Sequence, residues 1–113
     1  MTAFQHHLYE LDRGIRSMVL FTAPIGEAAA IEARITRSGH AFHTVRNGSV
    51  ANIFFGAEEY VSVVRSFGGK QLCQYTDEQD FILGMLLGYD RLLQCRRYLD
   101  RREDTRSTGR CAG

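Results

Sequence analysis

The chain has 113 residues, of which 44% are hydrophobic, 11% aromatic and 24% charged; that composition excludes a disordered or fibrous protein and suits one globular domain with a real core. Its formal net charge is +1, so no global field draws it to nucleic acid, and no run approaches the roughly 20 apolar residues of a membrane span. Three cysteines, Cys73, Cys95 and Cys111, are an odd number at wide gaps, which fits thiols in a reducing compartment, the cytoplasm, and not a disulfide framework.

Phe4, Leu8, Leu11 and Ile15 recur at helical spacing in the first segment, and Gly14 is placed to stop that helix. The opening, MTAFQHHLYELDRG, carries acids where a signal peptide carries bases ahead of an unbroken apolar run, so export is not expected. IRSMVLFT is a short apolar run suited to an interior strand. Pro24 begins a second helix, where its missing N–H costs least. That helix buries Ala28, Ile31 and Ile35 and ends at Gly39, a left-handed cap.

In HAFHTVRNGSVANIFF, Asn47-Gly48 predicts a two-residue type I′ turn between two strands. Such a turn pairs Arg46 with Ser49, Val45 with Val50, His43 with Asn52 and Phe42 with Ile53. A third helix follows Gly56, with Glu58 and Glu59 in its first turn and Tyr60, Val63, Val64 and Phe67 as its apolar stripe. Gly68-Gly69 ends it, and KQLCQY reads as a fourth, more polar strand. Thr76-Asp77-Glu78-Gln79 is a capping box. The helix it starts is expected to run to about Arg102, roughly 26 residues or about 39 Å. Residues 1–102 then make one domain, and 103–113 hold too little to bury and read as a disordered tail.

This order predicts an α+β fold with the split βαβ, ferredoxin-like arrangement: a four-stranded antiparallel sheet in the order 4-1-3-2, with additional N- and C-terminal helices. The first and third strands, MVLF and NIFF, are the apolar pair and belong at the centre; the mixed second and fourth belong at the edges.

Chemistry-bearing patterns are sparse. His6 and His7 diverge by about 100° on a helix and do not share an ion easily. His40 and His43, three apart on a strand, point to opposite faces. No metal site or cofactor is expected, and no Gly-x-Ser-x-Gly or phosphate loop is present. Cys95 reads as a small buried hydrophobe among Leu92 and Leu99. A weak enzymatic option rests on Cys73 or the His43–Asn52 pair. RNA binding is not expected, because NIFFGAEE carries acids where an RNA-recognition strand carries bases.

The terminal helix says more. Apolar residues surround its first half, from Phe81 to Tyr89, whereas a helix lying on a sheet buries one face. Either the N-terminal helix covers the second face, or Leu83 and Leu87 meet another subunit or a partner. Gly84 and Gly88 form a flat ridge that admits a neighbouring backbone. Charge is also uneven: residues 1–95 carry 8 basic against 10 acidic side chains, and residues 96–113 carry 6 against 3. Arg91, Arg96, Arg97, Arg101 and Arg102 cluster here, a patch able to pair carboxylates of a docking protein or simply to complement the helix dipole.

HHLYELDRGIR with VLFT, then NIFFG, then DFILGMLLGYDRLLQCRRYL resemble a small bacterial family known only as a domain of unknown function. The resemblance spans most of residues 6–99. It implies a compact α+β protein without an assigned activity or catalytic motif, often encoded beside a flavodoxin. A non-enzymatic accessory or regulatory protein acting by protein–protein contact, with a flavodoxin-type redox partner, is the expected function. The alternative is an oligomeric ferredoxin-like module that senses a small metabolite. The arginine-rich tail after Leu99 departs from the resembling segments.

Overall fold

The computed structural model describes residues 2–105, in which the elements run α1 (Ala3–Asp12), β1 (Met18–Pro24), α2 (Ala28–Arg37), β2 (Ala41–Asn47), β3 (Val50–Gly56), α3 (Glu58–Arg65), α4 (Asp77–Leu86) and α5 (Arg91–Thr105). Short 3₁₀ turns at Ile25–Glu27 and Leu72–Gln74 link some of them.

VANIFFG combines β-branched and aromatic residues, the types that pack best on a pleated surface. It becomes the middle strand of a three-stranded sheet, ordered β1-β3-β2, antiparallel to both neighbours. Alternation then sends its side chains to two cores. Ala51, Ile53 and Phe55 pack with Phe4, Leu8, Leu11, Ala28 and Ile35 beneath α1 and α2. Phe54 packs on the other face with Met18, Val45, Val61, Val64, Tyr75, Leu83 and Leu87. Helices thus cover both faces, which is why β3 is buried from Ala51 to Gly56.

Four expectations need correction. The sheet has three strands among the described residues, so the four-stranded ferredoxin-like arrangement does not hold. KQLCQY instead forms the 3₁₀ turn Leu72–Gln74. Its glutamines bond locally and sideways: the Gln71 N–H donates to Gln74 Oε1 at 2.8 Å, and Gln71 Nε2 donates to the Arg46 carbonyl at 2.9 Å. Lacking a β-branched residue, the segment has little to gain from a ladder. Without that strand, β1 is an edge and not a central strand.

The hairpin register also differs. Asn47 pairs with Val50, Arg46 with Ala51 and His43 with Phe54. Gly48 alone has positive φ, +61°, with Ser49 after it, the pattern of a type II′ turn, which takes glycine first. The two-residue difference leaves every side chain on its expected face, but it separates His43 from Asn52. Asn52 instead accepts from the Thr22 hydroxyl at 2.6 Å.

The fourth correction is the terminal helix, which breaks in two. Gly88 takes φ +80°; its N–H donates to the Met85 carbonyl and that of Tyr89 to the Gly84 carbonyl, both at 3.1 Å. This double bond pattern ends a helix in a left-handed cap. Asp90 then accepts from the Leu93 N–H at 2.9 Å and starts α5. Smaller differences follow the same logic: Pro24 closes β1 and α2 opens at Ala28, and Val61 joins Val64 in the core where Val63 was expected. Helix α5 carries the chain to Thr105; residues 106–113, with Cys111 and the rest of the expected tail, lie outside the described residues.

Candidate functional site

Thr76 starts α4 as its sequence announces: the hydroxyl accepts from the Gln79 N–H at 3.1 Å, and the Gln79 side chain accepts from the Thr76 N–H at 3.1 Å. The break at Gly88 then turns α5 back along α4. Acids cluster at the start of α4 and arginines fall in the second half of α5, so the antiparallel fold brings opposite charges together. Arg97 donates from Nε and Nη2 to the two carboxylate oxygens of Asp80, at 2.9 and 3.2 Å. Arg101 lies 3.5 Å from Asp80 and 3.7 Å from the buried Asp77. Arg102 and the Tyr98 hydroxyl both donate to Glu78, at 3.2 and 2.8 Å.

The Arg97 pKa is raised above its ordinary value, first by the hydrogen bond to Asp80. The Tyr98 hydroxyl is likewise raised, first by its bond to Glu78. Both bonds tie α5 to α4, and both shifts carry Arg97 and Tyr98 further from neutral pH.

Leu83 and Leu87 face inward, 7% and 4% exposed, and belong to the core under α3 and α4. Arg91 and Arg96 are exposed and make no ion pair among the described residues. The glycine ridge admits α5 of the same chain, since a Cβ on Gly84 would run into the Gln94 side chain.

What the hairpin leaves outside is apolar. Leu92, Leu93 and Leu99 on α5 are 59%, 57% and 63% exposed, and Cys95 is exposed beside them where a buried thiol was expected. Phe81, Ile82, Cys95, Tyr98 and Leu99 line a shallow groove between the two helices. On the opposite side of α5 an open cleft of about 640 Å³ separates the hairpin from β1, with Leu20, Tyr75, Leu87 and Tyr89 in its wall and Arg97 and Arg101 at its polar side.

The expected site residues thus divide into a buried pair, a paired set of arginines and two unpaired ones. Leu92 and Leu99, which the sequence places around a buried Cys95, are exposed together with it. A Gly-x-Asp step, Gly88-Tyr89-Asp90, was the signal for the break: a C-terminal cap followed at once by an N-cap.

Elsewhere, His6 and His7 lie 3.7 and 3.6 Å from the same Glu10 oxygen, and His40 Nε2 is 2.9 Å from Asp12. No group of three potential metal ligands gathers among the described residues. No helix among them is long and apolar enough to cross a membrane.

The fold and site together define a small α+β protein, a three-stranded antiparallel sheet between helical layers with a leucine-bearing helical hairpin on one face. The chain belongs to the family described as Protein of unknown function (DUF2023), whose model matches residues 2–101. No curated protein shows significant similarity to it.

Proposed function

We propose that the protein is a non-enzymatic accessory or regulatory protein of the cytoplasm that acts by protein–protein contact through the α4–α5 hairpin. The observation that carries this reading is the exposure of Leu92, Leu93 and Leu99 on one helix. Leu99 borders the groove lined by Phe81, Ile82, Cys95 and Tyr98, and apolar surface gathered in this way marks contact sites. A flavodoxin-type redox protein is the partner we favour. Flavodoxins are acidic around the exposed flavin edge, and Arg91 and Arg96 flank Leu92 with charges that no carboxylate among the described residues takes up. Opposite charge of this kind steers encounter, and apolar contact then holds the complex.

Titration of labelled flavodoxin at low and moderate salt tests the proposal. Binding should weaken as salt shortens the screening length. It should fall with Arg91→Glu plus Arg96→Glu, and also with Leu92→Glu plus Leu99→Glu. Absence of binding at low salt removes flavodoxin as the partner.

The cleft of about 640 Å³ favours a second reading, an oligomeric module that senses a small metabolite. Cavities of this size suit small ligands. A saturable thermal shift with one class among nucleotides, flavins, amino acids or metals supports the sensor, and silence throughout supports the partner protein.

A further inference from the structure

The two edges of the sheet are finished differently. In the β1–β3 ladder the Ser17 carbonyl accepts from the Ala57 N–H at 2.9 Å and the Ile25 N–H donates to the Ser49 carbonyl at 2.8 Å. Antiparallel pairing alternates, so Val19, Phe21 and Ala23 turn their backbone groups toward β3, and Met18, Leu20 and Thr22 turn theirs outward. At the β2 edge, two outward carbonyls are occupied by side chains: Arg65 donates to Phe42 at 3.0 Å and Gln71 to Arg46 at 2.9 Å. At the β1 edge, the backbone groups of Leu20 and Thr22 have no such partner among the described residues.

Edges left open are usually blunted by charge, proline or a bulge. From Ser17 to Ala23 the chain has no charged residue. Proline enters only at Pro24, which ends the edge without covering its middle. Met18 is fully buried at the other end. The accessible stretch is therefore Leu20-Phe21-Thr22, symmetric about Phe21.

We infer that this edge pairs with β1 of a second copy of the chain, antiparallel, on a two-fold axis at Phe21. Leu20 of each copy exchanges both backbone hydrogen bonds with Thr22 of the other, four bonds in all. The two three-stranded sheets become one continuous sheet. A self-complementary edge meets the condition for a closed two-fold dimer, because one patch serves both sides. Pro24 contributes to the register. In this alignment it falls opposite Met18, beyond the accessible stretch, so its missing N–H costs no central bond. Phe21 packs 5.7 Å from Phe4 and 5.9 Å from His7, and across the axis its backbone meets its own copy at a non-hydrogen-bonded pair, where side chains approach most closely.

Sedimentation from micromolar to millimolar protein, with amide exchange followed by NMR, tests this. Self-association should rise with concentration. The Leu20 and Thr22 amides should become protected with it, while Val19 and Phe21 stay protected throughout. Thr22→Pro removes a donor that β3 does not use, and Thr22→Lys puts a charge at the edge while keeping the donor. Each should weaken association by about tenfold or more with the Val19 and Phe21 amides still protected. If Thr22→Pro perturbs the fold, Thr22→Lys decides alone. A monomer at every concentration overturns the inference, as does a dimer in which the Leu20 and Thr22 amides exchange freely.

Discussion

Arg97 holds Asp80 with two hydrogen bonds across 17 residues of chain, Nε to one carboxylate oxygen at 2.9 Å and Nη2 to the other at 3.2 Å. The planar fork of arginine matches a carboxylate at two points. This pair, with Arg101 on Asp77 and Asp80 and Arg102 on Glu78, pins α5 along α4.

Breaking that pair should loosen the hairpin more than the fold. Arg97 is half exposed, so solvent screening keeps the coupling small. A double-mutant cycle of Arg97→Ala and Asp80→Ala should give about 0.5–1 kcal/mol. Urea unfolding at low and high salt checks it, and the coupling should shrink as salt rises.

Leucines on the two sides of the hairpin should respond in opposite ways. Leu87→Glu forces a carboxylate into the core beside Phe54 and Val61 and should cost about 3 kcal/mol or more, enough to threaten folding. Leu99→Glu, on an exposed position, should stay within about 0.5 kcal/mol. Thermal unfolding of both variants gives the comparison.

Gly56 ends β3 at φ +149°, and a Cβ built there meets the Ser17 carbonyl and comes within 2.8 Å of the Met18 Cα. Both contacts are with the backbone of the neighbouring strand, which has no rotamer to change. Gly56→Ala should therefore destabilise the sheet by about 2 kcal/mol or more. Gly26→Ala, with nothing near its Cβ, is the control, and circular dichroism melts read both.

His43 stacks on Phe54 at 6.3 Å, and its pKa lies below the ordinary 6.5, first through burial and then through the charge of Arg65. The unfolded chain thus binds this proton more readily than the folded one. The stability His43 contributes is complete above about pH 6.5 and is lost as pH falls below it toward the folded value. Urea midpoints measured across that window should drop toward acid in the parent protein and drop less in His43→Gln.

Much of the secondary structure was legible because its signals are local. Thr76 and Gln79 form the expected capping box, and Gly39 takes φ +83° after α2 as a left-handed cap requires. VANIFFG is central because its side chains suit two cores at once. The strand expected at KQLCQY was not legible, since a strand exists only by virtue of a neighbour, and here the glutamines find bonds within the turn and on β2. The site was legible in part. Its leucines and arginines stood out, but their directions depended on whether the helix ran through Gly88.

Sequence by itself determined that α1, α2, α3 and the start of α4 are helical and that β1, β2 and β3 are extended, where α1 and α2 end and α4 begins, and that β3 would be buried, because dihedral preference and apolar spacing act over a few residues. Tertiary structure alone decided the number of strands, the hairpin register and the fold-back of α5. Those depend on contacts between residues far apart in the chain. Arg97 and Asp80 have no relation until Gly88 turns the helix, and that turn is what makes Leu83 and Leu87 core and leaves Leu92 and Leu99 as surface.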